Sequence, residues 1–393
     1  MPGMRIGPAL FLMTTAVICI ACSAGDVATV ARVASTGSPA SVKRMAVEKA
    51  VRYALSPETL TGDMRRFNEL AERFRRSIAG IWGEKETKES SPTEYVKYTE
   101  NYRSRATVDF DGGTITVETI ADEKPLESLR NAIVTTLLTP NDPRAVDLYS
   151  ARAVALGKEP FLLGEVRDFD GKDIRWHWRA DRFAGELIER NLRTRTVSEG
   201  GKLHLVRFVE IAMVPDHLEI RAAKYRALVD RYAGRYDLSG NLVYAIMKTE
   251  SNFNPYAVSG APAYGLMQIV SSTAGSDVYR FLNNRQGKPS REFLFDPENN
   301  IHYGCAYLHL LTTRYLKEIA HPTAREYCII AAYNAGAGAV LKTFDADRTR
   351  APDRINRLRP LEVFETIRTR IAKEEARHYL VKVVSAKKAF VNY

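Results

Sequence analysis

Leu242, Val243, Ala245, Ile246 and Met247 cover most of one and a half helical turns and leave almost no polar face. A surface helix carries a charged stripe opposite its apolar one, so a helix of this composition belongs inside a core. The apolar run ends at Glu250, and Asn254-Pro255 is expected to stop the helix just beyond it. A carboxylate there has apolar neighbours and the negative end of a helix dipole, and both disfavour ionisation. The expectation is a carboxylic acid still protonated near neutral pH, as general acid catalysis requires. A lone Glu at a helix end is more often solvated or paired with Lys or Arg, so the residues after it have to decide.

A chain of 393 residues has room for two or three domains, and 45% hydrophobic with 26% charged residues is ordinary for a folded globular protein. The net charge of +10 calls for an anionic partner. No basic run or stacking motif accompanies it, so nucleic acid is not expected. A cell-wall polymer bearing peptide carboxylates, or an anionic membrane face, fits the spread charge. Residues 1–21 carry Arg5 and then an apolar stretch to Ile20, interrupted by Gly7 and Pro8, which reads as an export signal. Ile20-Ala21-Cys22 resembles a bacterial lipoprotein cleavage site, with Cys19 where Leu is usual. The resemblance implies that Cys22 is acylated, and Ser23 is consistent with delivery to the outer membrane of a Gram-negative cell, facing the periplasm. Cys305 and Cys328 are either joined or separately buried. The seven His include no HxxxH or HExxH, so neither a metal nor any other cofactor is expected.

Residues 22–41 are rich in Ala, Ser, Thr, Gly and Val and read as a flexible tether. Over 42–89 the pattern is helical, with Phe67, Leu70, Phe74, Ile78 and Ile81 three and four apart, and 85–92 is a solvated loop. The period then falls to two. Val96 and Tyr98 lead in, Ala106, Val108 and Phe110 alternate, Asp111-Gly112-Gly113 turns, and Ile115 and Val117 return: a hairpin. Helices are expected over 126–138 and 143–156. Strands are expected over 162–168, 174–178 and 203–213, with an Asp170-Gly171 turn joining the first pair and a helix between the last two. Residues 42–214 therefore form an α+β domain. Trp176 and Trp178, on one face of the second of these strands, are either core or a platform for sugar rings. From Pro215 the signals are helical to the end, through a stripe over 216–235, a turn at 238–241, an Asp296-Pro297 cap before 301–316, and helices over 323–333 and 361–388. Residues 215–393 read as an all-α domain.

ESNFNPYAVS, YGLMQI and AAYNAG, in that order over about a hundred residues, resemble the lytic transglycosylase domain of the goose-type lysozyme superfamily. YVKYTENYRSRATVDFDGGTITVET and EPFLLGEV resemble the N-terminal domain of a membrane-bound branch of the same enzymes. The fold implied is an α+β N-terminal domain followed by an all-α lysozyme-like catalytic domain. The activity implied is cleavage of the bond between N-acetylmuramic acid and N-acetylglucosamine in peptidoglycan without water, leaving 1,6-anhydromuramoyl ends. Carried over by motif, Glu250 is the acid and then the base. Ser259 bonds substrate, Gly265 lets the backbone approach the glycan, and Met267 and Gln268 line the groove. Tyr333 orients Glu250 or the substrate acetamido group, and Asn334 supports that turn. Glu375 and Tyr379, in EARHY, contact sugar and close the groove; Glu375 can equally be a surface residue paired with a cation. Pro262 stands where relatives have Gly, and 271–274 lacks a usual Pro, which puts the position of Ser259 in doubt. A hydrolytic muramidase on the same fold would need a second carboxylate, and Asp237 is too far along the chain to supply it. A noncatalytic peptidoglycan-binding lipoprotein would have no use for Glu250, Gln268 and Tyr333 together.

Overall fold

The computed structural model describes residues 57–199, 202–260 and 262–391. The signal, the tether and Cys22 lie outside them, as does the first part of the expected 42–89 helix. Within the described part that helix is α1 (Pro57–Trp82), and Gly83 ends it with φ +87°. Ala71, Phe74, Ile78 and Trp82 are buried, so Trp82 rather than Ile81 completes the apolar stripe.

Strands β1 (Glu94–Thr99), β2 (Ser104–Asp109), β3 (Thr114–Thr119), β4 (Arg193–Glu199) and β5 (Lys202–Ala212) form one antiparallel sheet in the order β1-β2-β3-β5-β4. Alternation sorts its side chains. Val96, Tyr98, Val197 and Val206 pack with Phe74, Ile78 and Trp82 of α1. Tyr95, Ala106, Val108, Ile115, Val117, Val209 and Ile211 face the other way, into the large core. There they meet α2 (Pro125–Leu137) and α3 (His177–Asn191). The expected hairpin is β2–β3, with Asp109 opposite Thr114 and the Asp109 carboxylate accepting the N–H groups of Asp111 and Gly112.

Three expectations for this region fail. Over 143–156 there is one 3-10 turn, Pro143–Ala145, and then irregular chain. Asp142 and Asp147 accept the backbone N–H groups of Arg144 and Tyr149, and buried Lys97 draws the carbonyls of Asp147 and Ser150 to 2.7 Å each. Those backbone groups are thereby lost to a helix. Over 162–178 only isolated bridges form, because Gly164 and Gly171 take positive φ and the Asp168 carboxylate collects the N–H groups of Asp170 and Lys172. The Asp170-Gly171 turn is present without strands on either side of it. Trp176 is the N-cap of α3 and Trp178 lies in its first turn; both are 57% exposed, neither core nor on a strand. Strand β4, unforeseen, is an edge strand of Arg, Thr, Ser and Glu around a single Val, too polar to read as half-buried.

The sheet ends at Ala212 and helices begin at His217. The single stripe expected over 216–235 is two helices, α4 (His217–Ala223) and α5 (Arg226–Arg235), broken where Lys224 turns to bond Glu165 and the Phe161 carbonyl. Then come α6 (Gly240–Ser251), α7 (Ala274–Asn283), α8 (Arg291–Phe295), α9 (Pro297–Leu310) with a π turn at Leu311–Tyr315, α10 (Pro322–Ala335), α11 (Ala337–Phe344), α12 (Ala351–Asn356), α13 (Pro360–Arg370) and α14 (Glu374–Ala386). Asp296 caps α9 as foreseen, accepting the Asn299 N–H at 2.9 Å. One departure from strandless chain is a two-residue ribbon, β6 (Ala263–Tyr264) with β7 (Ile269–Val270). Cys305 and Cys328 are separate buried thiols, which removes the disulfide alternative. Among the described residues no helix is long and apolar enough to cross a membrane, and no His, Cys, Asp and Glu cluster is placed to hold a metal.

Candidate active site

Helix α6 is as interior as its composition demands: Leu242 through Met247 are all buried, and Tyr244 stacks on Phe390 at 5.3 Å. Its end differs from the expectation. Asn252, not Asn254-Pro255, stops the helix by taking φ +48°, and Phe253 follows at +60°. Ser251 Oγ donates to the carbonyls of Met247 and Leu266, pinning the helix end to the turn that contains Gln268.

Glu250 therefore projects from the last turn of a helix whose other side is core, and it is partly buried. Desolvation raises its pKa to about 7. The Tyr379 hydroxyl and Lys373 pull it down and Glu375 pushes it up, but burial dominates. No Lys or Arg forms an ion pair with it among those found in the described residues. A carboxyl raised this far above its ordinary value keeps a neutral form near neutral pH, which a group that gives a proton and takes one back requires.

Two phenols flank it. Tyr333 on α10 donates its hydroxyl to the Met267 carbonyl at 2.8 Å. Burial first, then the Glu250 charge, holds its pKa well above the ordinary value. Tyr379 on α14 is 5% exposed, and its buried hydroxyl makes no hydrogen bond of ordinary geometry. It is nevertheless close enough to Glu250 for each to shift the other. Glu375, one turn before Tyr379, is exposed. Partial burial favours its neutral form, but hydrogen bonds from Asn334 at 2.9 Å and Lys373 at 3.0 Å outweigh that and hold its carboxyl below the ordinary value. Asn334 Oδ1 is buried and has no hydrogen-bond partner among the described residues.

The GLMQI turn is built from within. Gly265 has φ +72°, and a Cβ there would lie 2.5 Å from Asn300 Nδ2 and 2.8 Å from the Leu294 carbonyl. Its glycine is required by the turn and by Asn300. Met267 is fully buried, with its sulfur against Gly304, so its side chain lines the core and not a groove. What Met267 offers the site is its carbonyl. Gln268, at φ +47°, donates Nε2 to the carbonyls of Ala257 and Gly265, and its buried Oε1 has no hydrogen-bond partner among the described residues. Ser259, partly exposed, sits on the preceding loop with its N–H 3.4 Å from the Ala263 carbonyl. Buried Asn300 was missed. It bonds the Tyr264 and Leu294 carbonyls through Nδ2 and the Met267 N–H through Oδ1, and so shapes the turn. An Asn inside a helix gives no sequence signal for that. The structure thus groups Glu250, Tyr333, Tyr379, Glu375 and Asn334, and joins them to the 265–268 turn through one carbonyl.

Two known families match the chain, one over the sheet region and one over the first part of the helical region that holds Glu250 and Tyr333. Residues 60–224 match the N-terminal domain of membrane-bound lytic murein transglycosylase C, and residues 227–356 match the transglycosylase SLT domain. The class is that of the SLT-type lytic transglycosylases. Membrane-bound lytic murein transglycosylase C of Yersinia pestis (strain Pestoides F) is 48% identical over 337 residues, 86% of this chain and 93% of that protein. The protein of the same name from Yersinia pseudotuberculosis (serotype O:1b) gives the same figures, 48%, 86% and 93%. Among solved structures, the 70 kDa soluble lytic transglycosylase of Escherichia coli is 27% identical with a TM-score of 0.35, over 45% of this chain and 26% of that larger enzyme. The chain belongs to the membrane-bound lytic murein transglycosylase C family. It is a lytic transglycosylase of peptidoglycan.

Proposed function

We propose that Glu250 carries both proton transfers of this reaction. As the neutral acid it protonates the oxygen between N-acetylmuramic acid and N-acetylglucosamine, while the substrate acetamido group takes up the oxocarbenium-like charge. As the resulting carboxylate it removes the proton of the muramoyl C6 hydroxyl, whose oxygen closes on C1 to give the 1,6-anhydro end. No water is consumed, and the second step is intramolecular, which lowers its entropic barrier. The observation that carries this reading is the partly buried Glu250 carboxyl, with no cation paired to it among the described residues and a pKa raised to about 7.

Tyr379 presents its hydroxyl to the Glu250 carboxylate or the acetamido group. Tyr333, committed to the Met267 carbonyl, holds the 265–268 turn beneath the acid. Ser259, Gln268, Asn334 and Glu375 contact the glycan, with Gly265 and Met267 acting through the shape of the turn. Residues 42–214 and 215–393 serve as the α+β and catalytic domains, consistent with the sheet ending at Ala212 and helices starting at His217. Relatives at 48% identity are named membrane-bound. Accordingly, residues 1–21 are removed, Cys22 is acylated, 22–41 tether the enzyme, and it works from the outer membrane on the periplasmic side. Digestion of purified sacculi followed by mass spectrometry tests the chemistry. Anhydromuramoyl ends, one water lighter than reducing ends, are expected from the wild type and none from Glu250→Gln. Reducing ends as the main product would establish hydrolysis instead.

A further inference from the structure

The chain immediately after Glu250 is held largely from outside the helical region. Asn252, 3% exposed, donates Nδ2 to the Phe110 carbonyl at 2.6 Å and to Asp111 Oδ1 at 3.0 Å, both in the β2–β3 turn. Its carbonyl accepts from Arg221 Nη1 at 2.9 Å, and Arg221 is in turn fixed by the Glu165 carboxylate at 2.9 Å and lies 4.4 Å over the Phe110 ring. Two residues on, Asn254 Nδ2 donates to the Pro92 carbonyl at 3.1 Å, and the Tyr256 hydroxyl donates to the Pro140 carbonyl at 2.5 Å. The Tyr256 ring packs edge-on against Tyr95 and Phe161. A left-handed helix cap asks only for Gly or Asn, and most often Gly serves. Here the cap is an Asn whose amide is spent on another part of the chain.

We propose that Asn252 is a positioning residue for the acid: through it the β2–β3 turn fixes the last turn of α6 and with it the direction of the Glu250 carboxyl. The last turn of a helix frays when its end is not held. A proton donor displaced by about 1 Å loses on the order of a hundredfold in rate. The α+β region thereby contributes to turnover without touching the glycan. This inference rests on the assignment of Glu250 as the acid.

The full-length enzyme tests it. Asn252→Gly keeps the positive φ at no steric cost and removes both bonds to the β2–β3 turn, along with the 3.5 Å bond that Asn252 Oδ1 accepts from Lys248 Nζ. Per folded molecule, kcat for release of anhydromuropeptides from sacculi should fall about tenfold, with KM and cosedimentation with sacculi unchanged. Asp111→Ala, on an exposed turn where folding is not at stake, removes one of the two bonds and should lower kcat about threefold. Wild-type kcat in both folded variants overturns the proposal. So does a loss that falls equally on kcat and glycan binding, or one that matches the unfolded fraction by circular dichroism, because either is what a merely structural contact produces. Glu250→Gln run alongside separates the two failures. Turnover by that variant removes the acid itself, whereas an inactive Glu250→Gln beside a fully active Asn252→Gly removes only the clamp.

Discussion

Glu165 and Glu250 are the same residue in two regions, and they are treated in opposite ways. Glu165, in the irregular chain after α2, is fully buried and bonded by Arg221 at 2.9 Å and Lys224 at 2.6 Å. Across the sheet the rule repeats: Glu118 is taken up by Arg105 at 2.6 Å and by Arg195 at 2.8 Å, with Glu86 beside them. Glu250, in the helical region, has phenols and apolar chain around it and no ion pair among the described residues. A buried charge is tolerated when a cation and hydrogen bonds replace water. Where they are withheld, the group answers by moving its pKa. The paired carboxylates build the sheet region; the unpaired one is left to exchange a proton.

The largest effect that separates the two is on rate. Glu250→Gln should lower turnover of sacculi about 100- to 10,000-fold, the usual worth of a general acid, measured as anhydromuropeptide release per folded enzyme. The same variant should unfold in denaturant no more easily than the wild type, since it removes an unpaired charge. Arg221→Met should do the reverse for stability. It leaves Glu165 buried with Lys224 alone and should cost about 3–5 kcal/mol in chemical denaturation. If Glu250→Gln proved the more destabilising of the two, the contrast would collapse.

Smaller effects sharpen it. Tyr333→Phe deletes the hydrogen bond to the Met267 carbonyl and should cost about 1 kcal/mol in stability, leaving that buried acceptor unpaired. The pH dependence carries two signs. Activity needs the protonated acid, so kcat/KM should fall as pH rises through about 7. Because the folded-state pKa lies above the unfolded one, folding binds a proton between the ordinary Glu range and about 7. Stability relative to Glu250→Gln should therefore decline as pH rises through that window and level off above it. Smallest of all, Glu375→Gln should move the alkaline limb of the rate profile to lower pH, and Lys373→Met should move it to higher pH, since these two charges push the Glu250 pKa up and down respectively.

Much of this architecture is legible in the sequence wherever a period persists. The β2–β3 hairpin, α2, α3, β5, the buried α6 and the Asp296 cap all come from alternation, helical spacing or capping chemistry that neighbours in the chain supply. Expectations fail where turn chemistry breaks a short period, as at Gly164, Asp168 and Gly171, or where a distant group interferes. Lys97 takes two carbonyls some fifty residues away and unmakes the helix expected over 143–156. Strand β4 exists because β5 pairs with it, not because its own residues favour burial. The motifs bring the right residue types to the site without their orientations. Nothing in GLMQI says that Met267 turns inward and offers only its carbonyl.

By itself the sequence determined that a Glu ends an apolar helix, and that a run of alternating strand residues precedes a long helical region. Periodicity and capping act over a few residues and need no partner. Tertiary structure alone decided that, among the described residues, Glu250 is left without a paired cation while Glu165 receives two, that Tyr333 is committed to Met267 and Tyr379 is not, and that a turn in the sheet grips the end of α6. These depend on which atoms meet across tens to more than a hundred residues of chain, and only packing of the whole core selects them.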